Sequence, residues 1–210
     1  MKYNYREGVE KPKSRKRFIL PVLILAGGVY ALATYLAPDL LYVVEPPDAT
    51  AKKLVVQKPA QTEARLYIPK LNADISVLGV DEGGSVDRAA QERSTASGNP
   101  AEGGNYVLAA NRFSFGLTPM DTKAKSPFYH LAKLSSGDDI YVDYKGVRYA
   151  YKVEEVKPVE SITSFEERTD EPRLTLYTSE AAGRHVVTAK QTGKIVWTSG
   201  QPKLQPLPGS

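Results

Sequence analysis

A mostly β fold, closed or nearly closed into a barrel behind a single N-terminal membrane helix, is predicted from three features of this 210-residue sequence. Apolar and polar residues alternate in six short stretches, glycine and proline interrupt them at close intervals, and the 20 residues from Phe18 to Ala37 carry no charge. Period-two alternation marks strands, whose successive side chains point to opposite faces. Many short strands with frequent turns favour closure, because a closed sheet leaves no exposed edge. The composition, 41% hydrophobic and 25% charged with 13 tyrosines, is that of a folded globular chain and argues against wholesale disorder.

Residues 1–17 hold seven of the 28 basic side chains and two of the 24 acidic ones, which leaves 21 basic and 22 acidic groups, a net charge of −1, in the remainder. The overall charge of +4 is therefore a property of the tail and gives no argument for a nucleic-acid partner. The run that follows, FILPVLILAGGVYALATYLA, would rise about 30 Å as a helix, enough to cross a bilayer core. Pro21 falls near its start, where a missing N–H costs little. Basic residues before the run and Asp39 after it place the N-terminus in the cytoplasm and the rest outside, as a single-pass plasma-membrane protein. Ala31-Leu32-Ala33 also resembles a signal-cleavage site, so a cleaved secretory signal is the competing reading; both export the domain.

The organisation read from these patterns is a basic cytoplasmic tail at 1–17, a transmembrane helix at 18–37, a Pro-rich stalk at 38–64, a β domain at 65–197 and a flexible Pro-rich tail at 198–210. Pro38, Pro46, Pro47 and Pro59 argue for an extended stalk, and Pro202, Pro206 and Pro208 for a loose tail. Between them the stretches beginning at Arg65, Asn105, Asp139, Val147, Leu174 and His185 read as strands. Lys145-Gly146 between two of these is a hairpin-turn signal. Short helical pieces are expected at Val86 to Arg93 and Pro127 to Leu134.

With no cysteine, the chain cannot hold a disulfide, a thiolate metal site or a thiol nucleophile. His130 and His185 are its only histidines, so neither a metal site built on histidine nor any other cofactor is implied. No phosphate-binding, dinucleotide or calcium loop is present.

Three stretches in order carry a family resemblance: LYIPKLNADISVLGV, then GGNYVLAANRF followed by SPFYHLAKLSSGDDIYV, then LTLYTSEAAGRHVVTAK. Together, over roughly Arg65 to Lys190, they resemble the sortases, membrane-anchored transpeptidases of the cell surface. The resemblance implies a sortase-like eight-stranded β-barrel with short helices and a groove for a sorting-signal peptide. It places the family's catalytic His, Cys and Arg at Asn111, Ser179 and Arg184 of this chain, and expects Tyr177 and Arg184 to contact a peptide. Two of the three catalytic residue types differ, and only four residues separate Ser179 from Arg184.

Those differences bear directly on the chemistry. In the family a thiolate attacks the signal's carbonyl, an imidazolium protonates the leaving amine and a guanidinium stabilises the oxyanion. A serine hydroxyl needs a base to accept its proton, and an asparagine amide has no proton to exchange at neutral pH. Alternation along the last predicted strand puts Arg184, Val186 and Thr188 on one face and His185 on the other, so His185 points away if Arg184 faces the groove. His130 and His185 are expected to be surface or half-buried polar groups. Tyr106, Tyr141, Tyr149 and Tyr151 suit half-buried strand packing as well as they suit a groove.

The leading expectation is thus a catalytically inactive, membrane-anchored sortase-like protein with a structural, assembly or peptide-binding role at the cell surface. Its partners would be the membrane and a surface-protein or pilin-type peptide or an envelope assembly component. The alternative is an atypical Ser-dependent transpeptidase or peptidase acting on sorting signals. A true sortase inactivated by design fits two substitutions and a short connection less well.

Overall fold

The computed structural model describes residues 16–44, 49–81, 86–178, 184–198 and 201–207. The chain divides into two units, residues 1–33 and 34–210. The first is dominated by helix α1 (Lys16–Tyr35), whose stretch Phe18–Tyr35 has a mean hydropathy of 2.0 and is 6% buried. An exposed helix of this length and composition is long and apolar enough to cross a membrane. It ends at Tyr35 rather than at the expected Ala37, because the chain turns at Leu36 and Ala37 opens a second helix.

The second unit begins with α2 (Ala37–Val44) and α3 (Ala49–Val56). Ten strands follow among the described residues: β1 (Ala64–Ile68), β2 (Ala73–Leu78), β3 (Ala89–Glu92), β4 (Gly98–Asn99), β5 (Gly103–Ala110), β6 (Asp139–Tyr144), β7 (Val147–Val159), β8 (Arg173–Thr178), β9 (Arg184–Thr198) and β10 (Gln201–Pro206). One further helix, α4 (Pro119–Ala124), lies between β5 and β6; Thr118 caps it by accepting from the Asp121 N–H at 3.1 Å, with Pro119 at its start.

Eight strands close a ring in the order β1-β2-β3-β5-β8-β9-β7-β6 and back to β1. The pairs β2-β3 and β5-β8 are parallel and the other six antiparallel. The expected eight-stranded barrel is therefore present, with β4 and β10 added outside the ring.

Inside the ring, alternate residues make the core: Leu66 and Ile68 of β1, Ile140 and Val142 of β6, Leu174 and Leu176 of β8, and Val187 and Ala189 of β9. Each fully buried aliphatic side chain of this size stabilises the fold by about 1.5–3 kcal/mol. The Lys145-Gly146 turn has φ of 48° and 77°, the two left-handed residues that a tight hairpin with matching twist demands.

Two segments depart from the sequence expectation. The expected extended stalk contains α2 and α3, because its prolines bound the helices rather than interrupt them: Pro38 lies in the first turn of α2 and Pro59 follows α3, while Pro46 and Pro47 fall in undescribed residues. α3 is held to the barrel by Lys53 to Asp74 at 2.7 Å, by the Thr50 N–H and hydroxyl to Asn72 Oδ1 at 2.9 Å each, and by Arg148 Nη1 donating to the Leu54 carbonyl at 2.6 Å.

The expected loose tail instead contains β10, paired along its whole length with β9. Pro202 and Pro206 are tolerated because β10 is an edge strand. They share parity with each other and not with Leu207, whose N–H donates to Thr192, so both missing donors face away from β9. The helical pieces expected at Val86 to Arg93 and Pro127 to Leu134 reduce to single 3-10 turns at Val86–Arg88 and Leu131–Lys133, and β3 occupies half of the former.

Candidate functional site at the ends of β5, β8 and β9

Because β5 and β8 run parallel with Ala110 opposite Thr178, both strands finish at one end of the barrel. β9 runs antiparallel to β8, with Val186 opposite Tyr177, so it begins at that end. On the outer surface these strands present Val107, Ala109, Tyr177 and Val186 as one apolar floor. The loop of residues 160–172, which joins β7 to β8, lays Ile162 and Phe165 over that floor beside Val159.

Polar groups fasten the loop. Asn105, on the outer face of β5, accepts from the Thr175 hydroxyl at 2.7 Å and donates its Nδ2 to the carbonyls of Phe165 at 2.7 Å and Glu167 at 3.0 Å. Ser97 donates to the Glu166 carbonyl. The Tyr177 hydroxyl donates to Glu166 Oε1 at 2.6 Å, and Arg93 stands 3.8 Å from the same carboxylate. Burial, reinforced by the Glu166 carboxylate, pushes the Tyr177 phenol up to about 12 against the lowering effect of Arg93. This phenol stays protonated and donating throughout the physiological range.

Asn111 directly follows β5 and is half-buried; its carbonyl accepts from the Phe128 N–H at 3.0 Å. Arg184 opens β9, partly exposed, with its backbone opposite Val159. Ser179 and the four residues after it lie outside the described residues. Tyr177, expected to contact a peptide, is 3% exposed and spends its hydroxyl on the chain's own loop.

The two histidines are placed differently from each other. Along β9, Val186 joins the outer floor while Val187 and Ala189 enter the barrel core, and His185 shares the parity of the latter pair. His130 sits against α2, its Nε2 3.1 Å from the Pro38 carbonyl and 3.8 Å from Asp39, with the Tyr42 ring tilted against its own at a centroid distance of 4.4 Å. Burial lowers its pKa, and repulsion from Lys133 and Lys123 adds to this, against the raising effects of the Pro38 carbonyl and Asp39. Among the described residues no group of three or more metal-ligating side chains converges.

Sequence reasoning missed Asn105, Glu166, Arg93 and Ser97 as members of this site. One signal was present: an asparagine in the otherwise apolar run GGNYVLAA is unfavourable in a strand unless its amide has partners.

A model of the sortase domain matches residues 66–192. Among solved structures, sortase A from Listeria monocytogenes superposes with a TM-score of 0.52 at 18% identity, covering 70% of this chain and 93% of that one. Sortase E from Streptomyces avermitilis gives 0.52 at 20% identity, covering 69% and 91%. Sortase E1 from Streptomyces coelicolor, solved with a tripeptide in its active site, gives 0.51 at 22% identity, covering 70% and 93%. At these identities the likeness establishes the fold alone. No protein of curated function matches the chain significantly in sequence. The family model spans more than half of the chain and coincides with the closed barrel, and on that ground the chain belongs to the sortase domain family, as a member without any cysteine.

Proposed function

We propose that this chain is a membrane-anchored sortase homologue without transpeptidase activity, acting at the outer face of the plasma membrane as a structural, assembly or peptide-binding component. The observation that carries the reading is the absence of any thiol from a sortase domain. Covalent transfer through this fold needs a nucleophile, an acid for the departing amine and an oxyanion partner. By the motif resemblance Arg184 would fill the last role, Asn111 has no titratable proton for the second, and Ser179 would supply the first only with a base. Neither histidine supports such a base, since His130 is engaged by Pro38 and Tyr42 and His185 shares the inward parity of β9. The floor covered by Ile162 and Phe165 also favours a scaffold over an open catalytic groove.

In this reading residues 18–35 anchor the chain, the basic 1–17 segment stays in the cytoplasm and the barrel stands outside. The tripeptide in the active site of sortase E1 supports a peptide as the ligand class, here taken to be a surface-protein or pilin-type peptide. The test is mass spectrometry of the full chain after incubation with a library of LPxTG-type peptides and an amine acceptor. No acyl-enzyme and no transfer product above background are expected. An adduct on Ser179 that disappears in Ser179→Ala would establish the Ser-dependent enzyme instead.

A further inference from the structure

Helix α2 is amphipathic with its apolar stripe outward. Leu40, Val43 and Val44, spaced i, i+3 and i+4, share one face and are exposed, Val43 at 81%. Its other residues grip the barrel: Asp39 accepts from the Tyr129 hydroxyl at 3.0 Å, and the Tyr42 hydroxyl donates to the Lys70 carbonyl at 3.1 Å. α2 packs against α4, where Met120 is exposed, and the loop leading into α4 exposes Phe115 and Leu117, the latter at 85%. The Tyr35 ring closes the gap, with centroids 5.6 Å from Phe113 and 6.4 Å from Phe115. Two segments some 75 residues apart in sequence thus each expose apolar side chains beside Tyr35, and soluble surfaces rarely leave so many uncovered.

The identity of the cover follows from where this face begins. Tyr35 is the last residue of the apolar run long enough to cross a bilayer, and one turn residue, Leu36, separates it from α2. Leu40 lies five residues beyond Tyr35, a reach of at most about 18 Å even for extended chain. Phe115 is one ring contact from Tyr35 itself. An apolar face tethered this closely to the end of a membrane span has little room for a protein partner and stands where aromatic and aliphatic side chains enter the headgroup–acyl boundary.

We infer that the face formed by Leu40, Val43 and Val44 of α2 with Phe115, Leu117 and Met120 is a second membrane contact, immersed in the lipid interface and holding the barrel against the bilayer. This inference rests on the anchoring reading of α1. It changes the expected behaviour of the barrel: the domain lies on the membrane through a fixed face, with the strand ends that carry Asn111 and Arg184 close to the lipid surface, rather than swinging on a stalk.

The cysteine-free sequence makes the test direct, because one introduced cysteine takes an environment-sensitive fluorophore at one place. The full chain carrying Leu117→Cys or Val43→Cys, both at exposed positions that disturb no packing, is reconstituted in phosphatidylcholine–phosphatidylglycerol vesicles. Leu25→Cys in α1 and Lys203→Cys in β10, at the opposite end of β9, serve as references. Emission is read with a quencher on the lipid near the headgroup, and separately with aqueous iodide. The probes at positions 117 and 43 should lose most of their emission to the lipid quencher and little to iodide, with the reverse at position 203. If the position 25 probe is lipid-buried while those at 117 and 43 respond only to iodide, anchoring stands and the second contact is refuted in favour of a protein partner. If position 25 is itself aqueous, the anchoring reading fails and the inference falls with it.

Discussion

Arg148 is the side chain whose surroundings are most exacting. It is 1% exposed, donates from Nε and Nη2 to the two oxygens of Asp143 at 2.6 and 2.7 Å, donates from Nη1 to the Leu54 carbonyl, and stacks near Tyr67 and Trp197. Breaking one partner of such a pair leaves the other charge buried without compensation, so Asp143→Ala should lower stability by about 3–5 kcal/mol. Denaturant unfolding of the full chain in detergent micelles measures this. His130 gives a prediction of opposite dependence on conditions. Its folded pKa lies below the ordinary 6.5, so under mildly acid conditions the unfolded chain binds the proton more readily than the folded one. Stability should therefore fall as pH drops from about 7 through the depressed folded value and then level off. His130→Gln should remove that portion of the slope, which unfolding midpoints across this pH range would show; an unchanged slope would contradict the assignment. At this scale the sequence offered Asn111, Ser179 and Arg184 as the family's catalytic positions only through the resemblance of contiguous motifs, and Ser179 lies outside the described residues. The sequence did not show the Asn105–Glu167 or Arg148–Leu54 contacts, whose partners are 62 and 94 residues apart and meet only through the barrel.

The loop of residues 160–172 is the element whose removal from the surface would change most. Its backbone is held by two carbonyls on the Asn105 amide and one on Ser97, and its carboxylate by Tyr177. Asn105→Ala deletes both amide donations and strands the Thr175 hydroxyl, a loss of about 1–3 kcal/mol by the usual value of buried hydrogen bonds. Since the barrel core is untouched, faster amide exchange is expected in residues 160–172 and at the floor of β8, with the protection of β1 and β6 unchanged. Uniform loss of protection across the barrel would show instead that the loop is part of the cooperative core. All six predicted strands exist, because in each of them alternate residues enter the barrel core, although the outer faces of β5 and β8 are covered as well. β2, β3, β4 and β10 went unread for different reasons: β3 and β4 are short, the loop between β2 and β3 hides their parallel pairing, and the prolines of β10 are permitted only by its edge position. The helices α2 and α3 were masked by proline density, which signals breaks without saying that helices fill the intervals.

For the whole molecule, the proposed topology predicts that protease added to intact cells removes the region after Asp39 and spares the basic tail. Protection of the barrel with loss of the tail would reverse the orientation. The family and the closed barrel were legible because three motifs and the strand pattern point to the same fold, whereas orientation rests on charge alone. The ring closure described above also sets an order of events during synthesis. β1 pairs with β6 at Arg65 opposite Asp143, residues 78 positions apart, so at roughly 5–20 residues per second β1 waits about 4–16 s for its second neighbour to be made. During that interval the β1–β2 hairpin shows an open edge, the arrangement that invites pairing with another nascent chain. Arg65 and Tyr67 point outward from this edge, and Arg65 already has Asp74 of β2 as a partner at 2.6 Å. A charged side chain locked at the waiting edge discourages a stranger's strand until β6 arrives, so Asp74, whose other oxygen accepts from Lys53 of α3, would hold Arg65 as a guard on the unfinished barrel.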